Sequence, residues 1–338
     1  MPGRFTIFFL LASVVLLNKI HAQQQACPPV STAQVVSDVV VQGASLNDGY
    51  GGSLSCGVDG QVYRRPGGGR LTSVMRVSQD GSTLLFSLPA DVFPGVLAPA
   101  ASGLNVISQA YSAADRGLHL AMYHFDGQGN LLSQNPVTIP IQPSWMAVLP
   151  SGRTIIAGSL LKDYGLPENR KYGFAILDEN DRLVRSVEMP LPPGGGGWTF
   201  ASPMAAGNGV AYIMLHSNQP PQTAIATIAE SGNQDLDIKV IEAPLDTETR
   251  HHNEWMFGPG ITADIYHFAN ERPHITFRFD EYDLKTGEKI ATRSAPPAGF
   301  QFGCYTRDEF SMLAHSAHVD PARHLSPDTL RLVTSKLQ

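Results

Sequence analysis

The sequence has little cysteine, little charge and no long apolar run beyond its first twenty residues. Its three cysteines allow one disulfide with one thiol left over. Lys and Arg number 24 against 30 Asp and Glu, a formal charge of −6, and no basic run exceeds two residues. Such a chain does not gather phosphate backbones, so nucleic acid is excluded as a partner. After the N-terminal segment no apolar stretch approaches the roughly 18 to 20 residues that cross a bilayer. The usual catalytic phrases are also missing: there is no Gly-x-Ser-x-Gly elbow, Walker loop or His-Glu-x-x-His helix. Gly194 to Gly197 and Gly67 to Gly69 precede no helical pattern and read as flexible connectors.

The first segment reads as a secretory signal. Arg4 precedes the mostly apolar run Phe5 to Leu17, and Ile20-His21-Ala22 follows as a cleavage site. Residues 1–22 are therefore assigned to the signal and 23–338 to one domain, secreted or periplasmic. Loss of Arg4 and Lys19 makes the exported chain more acidic still. Cys27 lacks the apolar residue three positions upstream that a lipoprotein site requires, with Gln24-Gln25-Ala26 in front of it.

What the chain does have is a repeat. Two apolar runs flanking a tight turn occur at Leu54 to Arg64, Val96 to Gln109, Met146 to Ser159, Thr199 to His216, Met256 to Phe268 and Phe300 to His315. The period is roughly 43 to 57 residues, the range of propeller blades and solenoids. A second hairpin lies between consecutive copies: Val74 to Ser87, Leu120 to Gln134, Phe174 to Val187, Ile225 to Ile241 and Thr276 to Thr292. Their turns carry Asp80-Gly81, Asp126-Gly127, Asp178 to Asp181, Ser231-Gly232 and Thr286-Gly287, residues that tolerate the positive φ a hairpin needs. Two hairpins make a four-stranded antiparallel blade.

The sixth unit has only three strands, ending with Thr329 to Lys336, while Gln34 to Gln42 is a β-prone run with no unit of its own. The expected fold is thus all-β: a six-bladed β-propeller whose last blade takes its outer strand from the N-terminus, which closes the ring and protects an edge. A pair of β-sandwiches does not keep turn chemistry in register over six units, and the rungs of a β-helix are too short.

Cys56 lies four residues before Gly60, and Cys304 four before Asp308, so the two hold matching places on the first strands of the first and last units. Those strands become neighbours if the ring closes, and a Cys56–Cys304 disulfide would clamp it. Cys27 is a rival partner for either.

Propeller connectivity sends the within-hairpin turns to one face and the links to the other. The links contain the long segments Ala110 to Leu118, Leu160 to Lys171, Pro190 to Trp198, Glu242 to Glu254, Ala269 to Ile275 and His315 to Asp328. Long loops on a rigid scaffold commonly carry function. Trp145, Trp198 and Trp255 each stand at the entry of a first strand from that face, with Phe300 in the same place in the last unit. Such aromatics either wedge between blades or form a rim that stacks on a ligand. His251, His252, Asn253 and Glu254 run directly into Trp255 and complete the expected ligand-binding set. His315, His318 and Asp320 are spaced closely enough to share a divalent metal if their loop curls.

Repeat length and strand order resemble the six-bladed propellers that include NHL-repeat proteins and lactonase-like calcium-dependent hydrolases. No recurrent Trp-Asp or kelch-type phrase is present, and the acidic and amide set that holds the lactonase-like metal has no residue-by-residue counterpart here. The expected function is a non-enzymatic binding propeller without a cofactor, recognising a small molecule, glycan or protein segment on the long-loop face. The alternative that the resemblance implies is a metal-dependent hydrolase or lyase, with a cation polarising substrate and a His or Glu254 moving the proton.

Overall fold

Strands that are buried on both faces read as nearly unbroken apolar runs, and the middle strands of this chain do so. Thr154–Leu160 is buried at all seven positions, and Gly103–Ser112 over its first six. In a computed structural model these strands sit inside antiparallel sheets that stack face to face.

The structure describes residues 34–42, 54–56, 61–64, 72–112, 114, 117–161, 171–191, 197–200, 204–207, 209–218, 221–230, 236–241, 253–257, 262–271, 274–283, 286–295, 300–306, 309–315 and 330–336; for those among 253–281 and 292–315, and for 54, 207, 218 and 221, it describes the backbone alone. All belong to one compact unit, Thr32–Gln338. The proposed signal, residues 1–22, lies outside them.

Chain order begins with β1 (Gln34–Val40). The first sheet is β2 (Leu54–Cys56), β3 (Val62–Arg64), β4 (Ser73–Val77) and β5 (Thr83–Ser87). The second is β6 (Pro94–Ala100), β7 (Gly103–Ser112), β8 (Gly117–Asp126) and β9 (Leu131–Val137). The third is β10 (Ile141–Val148), β11 (Thr154–Leu160), β12 (Tyr172–Leu177) and β13 (Leu183–Glu188). In the fourth the first strand is split into β14 (Thr199–Phe200) and β15 (Ala205–Gly207), both paired with β16 (Val210–Asn218), and β17 (Pro221–Ala229) and β18 (Asp237–Ile241) follow. The fifth is β19 (Asn253–Phe257), β20 (Thr262–Glu271), β21 (His274–Asp283) and β22 (Lys289–Ala295). The sixth is β23 (Phe300–Thr306), β24 (Glu309–His315) and β25 (Leu330–Lys336), with β1 hydrogen-bonded antiparallel to β25. The fold is an all-β propeller of four-stranded antiparallel blades.

The first strands of neighbouring sheets lie side by side: β2 against β6 and β23, β6 against β10, β10 against β15, and β19 against β23. Separate apolar cores fill the gaps between sheets. Tyr63, Val74 and Phe86 of the first sheet meet Leu104, Val106 and Phe125 of the second, with Phe86 and Phe125 edge to face at 5.7 Å. Ile107 and Met122 turn the other way, toward Met146, Ile156 and Leu177 of the third. Adjacent residues Val106 and Ile107 thus serve two different cores, which is the period-2 alternation of a strand with sheets on both sides. Each such side chain, fully buried, is worth about 1.5–3 kcal/mol over exposure.

The outer hairpins close in a similar way. In three of them an αL residue ends a three-residue loop with a bulge, Gly81 (φ 80), Gly129 (φ 87) and Asp181 (φ 62), and in a fourth Gly287 (φ 73) ends a four-residue loop. The same residue docks on a neighbouring sheet. A Cβ on Gly129 would meet Leu85 O of β5 at 2.8 Å, and one on Gly287 would meet Ile241 of β18 at 2.9 Å. Gly81 sits in the same way on Val40 of β1, where Gln42 N donates to Gly81 O over 2.9 Å. Glycine is needed because a neighbouring strand occupies the space of a side chain.

Two links are shorter than the sequence suggests. β7 and β8 extend to Ser112 and from Gly117, and β20 and β21 to Glu271 and from His274. Pairing is regular out to these ends, Ser112 with Gly117 and Glu271 with His274, so polar residues that read as loop continue the ladder.

Candidate functional site

The end of the first strands that faces the links is irregular in four sheets. β6 has a bulge between Pro94 and Val96, β10 between Pro143 and Trp145, and β23 between Gln301 and Gly303. In the fourth sheet, Phe200 pairs with Leu215 and Ala205 with Tyr212, so the strand between β14 and β15 gains residues over its partner. A bulge takes one residue out of the ladder, bends the strand and re-aims side chains, which is why bulges collect near sites. The residues taken out of register are Gly95, Ser144 and Phe302, and Ser144 is exposed.

Gln109, on β7, ties two of these bulges together. Its Nε2 donates to Pro143 O on the next sheet over 2.9 Å. Its side chain also lies over Gly95, where a Cβ would come within 3.0 Å of Gln109 Cγ and 2.7 Å of Ile107 O. Gly158 permits the bulge in β10: a Cβ there would overlap Gln142 O, and Pro143 Cα would stand at 3.2 Å. Nothing in the sequence reading singled out Gln109. The only signals were the Pro-Gly and Pro-Ser pairs at the starts of β6 and β10, since proline inside a ladder marks an edge or a bulge.

The three tryptophans do not hold one position. Trp145 is the fifth residue of β10, opposite Ala157, and Trp255 the third of β19, opposite Ile265. Trp198 precedes β14, displaced by the extra residues of the split strand. Trp198 is 3% exposed and packs with Phe174, Met189, Met204, Ile213 and Leu215 between the third and fourth sheets. Its indole Nε1 finds no acceptor. Trp145 is half-buried against the same core. Both therefore take the packing role of the aromatic slot, and of the two only Trp145 retains solvent-facing area.

Asn253 and Glu254 open β19, opposite His267 and Tyr266, in line with Trp255. His315 ends β24 opposite Leu330. The side chains of these residues, and all of His251, His252, His318 and Asp320, lie outside the described residues. Among the described residues no three His, Cys, Asp or Glu side chains converge as a metal site would require.

One polar cluster was not anticipated. His124 of β8 places Nδ1 3.0 Å from Asn105 Oδ1 and Nε2 2.7 Å from Asp181 Oδ2, and Asn135 Nδ2 donates to that same oxygen over 2.7 Å. Asp181 belongs to the third sheet's outer turn and the other three to the second sheet. Because both ring nitrogens are engaged, His124 has no free position for proton transfer to a ligand. The cluster is a joint between sheets. Arg76, at the position of the first sheet that corresponds to His124, reaches the next turn by donating from Nη1 to Gly127 O over 3.0 Å.

No family model matches the chain, and no curated protein matches it in sequence. The likeness is to solved structures. A protein of unknown function from Dyadobacter fermentans DSM 18053 aligns with a TM-score of 0.52 at 12% identity, over 92% of this chain and 100% of that one. The putative TolB of Agrobacterium tumefaciens aligns at 0.43 and 11% identity over 72% and 84%, and the Pan2 WD40 domain of Neurospora crassa at 0.43 and 13% over 82% and 72%. At such identities the likeness speaks of the fold alone.

Proposed function

We propose that the chain is an exported, non-enzymatic binding propeller of six blades. β1 closes the ring as the outer strand of the last blade, and a small molecule, glycan or protein segment is held at the link-bearing mouth. The observation that carries the binding reading is the coincidence of irregular first strands at one end. Four of six sheets interrupt the ladder there, and a bulge bends its strand and re-aims the side chains beside it, which is why bulges collect next to sites. The expected contacts are Trp145 and the run His251, His252, Asn253, Glu254 and Trp255, with Trp198 fixing the wall behind them.

Two observations support the closure. Gly81 meets β1 as Gly129 meets β5 and Gly287 meets β18, so β1 stands where the outer strand of a preceding blade would. Val41, Leu330 and Leu332 also share a core with Val62, Met75 and Val77, joining the sixth sheet to the first.

The test is a thermal-shift titration of the mature protein with oligosaccharides and short peptides, beside metal analysis of chelator-free protein. A compound that raises Tm in the wild type but not in Trp255→Ala or His252→Ala supports the reading. Stoichiometric Ca, Zn or Mn, held by His315, His318 and Asp320, would instead favour the metal-dependent hydrolase or lyase.

A further inference from the structure

We propose that Cys56 and Cys304 form a redox-sensitive staple on the inner side of the seam between the first and sixth sheets, whose reduction loosens β2 and β23 while β1 keeps the seam shut. The inference is independent of what the mouth binds.

Strand register places both cysteines on the seam. Residues directly opposite in an antiparallel pair share a face, as do residues two apart along a strand. Val62 belongs to the core between the sixth and first sheets, and Cys56 is directly opposite it. On the other side Leu330 and Leu332 belong to that core, Thr334 is next in phase, Thr334 is opposite Ser311, and Ser311 is opposite Cys304. The two strands concerned, β2 and β23, lie against each other. Each cysteine is also near the turn end of its hairpin: Cys56 ends β2, and Cys304 is two residues before Thr306, the last paired residue of β23. Cys56 is disulfide-bonded, which leaves Cys27 and Cys304 as its candidate partners. It is itself exposed, so a staple there is open to a reductant.

The chemistry is thiol–disulfide exchange. A dithiol attacks one sulfur as its thiolate, forms a mixed disulfide and then leaves as its own cyclic disulfide. The two electrons and two protons it gives up end on Cys56 and Cys304. The outer seam is untouched by this step. Its apolar core, the Val41 N to Leu330 O bond of 2.9 Å and the Gln42 N to Gly81 O bond of 2.9 Å need no sulfur.

Peptide mapping without reduction, followed by amide hydrogen exchange of the full chain with and without dithiothreitol, decides the matter. The expected map links Cys56 to Cys304, and reduction removes protection from residues 54–56 and 300–306 but not from 34–40 and 330–336. Cys27→Ser should keep that response. Cys304→Ser should show the loosened pattern from the start and no further change; if it does not fold, the reduced wild type carries the same readout. A Cys56–Cys27 link, a free Cys56, unchanged exchange in β2 and β23, or loss of protection throughout the chain would each overturn the proposal.

Discussion

Asp181 occupies a turn position that glycine fills in three sister hairpins, and its carboxylate lies 2.7 Å from His124 on the preceding sheet. A non-glycine residue at positive φ costs about 1–2 kcal/mol. Asp181 offsets that cost with the bonds from His124 and Asn135, at a side chain only 2% exposed. Asp181→Gly should therefore destabilise even though it relieves the backbone, by about 1–2 kcal/mol net, since it leaves His124 and Asn135 without their acceptor. Asp181→Ala should cost more, keeping the strain and losing the bonds. Urea midpoints of the two variants check this; a more stable Asp181→Gly would show the joint contributes nothing.

Removal of residues 34–42 should lower Tm by many degrees or cause aggregation. It exposes the edge of β25, strips Val41 from the seam core and removes the 2.6 Å ion pair between Asp38 and Arg331. Most of the loss comes from the edge and the core, because the pair is exposed on both sides and contributes little. Asp38→Ala alone should leave Tm nearly unchanged, and a thermal melt of both forms separates the contributions.

Gly158→Ala should cost about 2 kcal/mol or more, as its Cβ must displace the Gln142 main chain rather than a flexible side chain. The disturbance falls on the Pro143 bulge, so the Trp145 fluorescence environment should change with it. An unperturbed midpoint would mean the bulge is softer than its packing suggests.

Asp126 accepts from the Asn130 side chain and main chain, which holds its carboxyl below its ordinary value of 3.8. A depressed folded value gives stability that is present above the ordinary value and lost as pH falls through the folded one. Wild type should thus exceed Asp126→Asn in stability near neutral pH, and the gap should narrow below about pH 4. Asp126 is only half-buried, so water screens the carboxylate and the effect is small. Denaturant midpoints against pH test the sign.

The hairpins within each half-blade were legible in the sequence because tight turns mark them locally between β-prone runs, whereas the β7–β8 and β20–β21 hairpins were not, because their polar ends read as loop. Even the orphan run Gln34 to Gln42, which forms β1 over Gln34–Val40, was assigned to the sheet of the strand it pairs with, β25, by counting strands. The bulges at Pro94 and Pro143 left only their prolines as a signal and that at Gln301 left none, since a bulge breaks the alternation on which strand reading depends. The same slip hid the displacement of Trp198 from the positions of Trp145 and Trp255. His124 and Asp181 are 57 residues apart and meet only because sheets stack. A signal existed all the same: aspartate stood where the sister turns carry glycine.

A crystal structure of the chain tests the proposed binding mouth most directly. His251, His252, Glu254 and Trp255 should converge with Trp145 on one pocket of roughly 300–1,000 Å³ at the link-bearing end of a closed six-bladed ring. Trp255 buried between sheets as Trp198 is, with the histidines turned outward around the rim, would contradict it and leave the aromatic slot as a packing device alone.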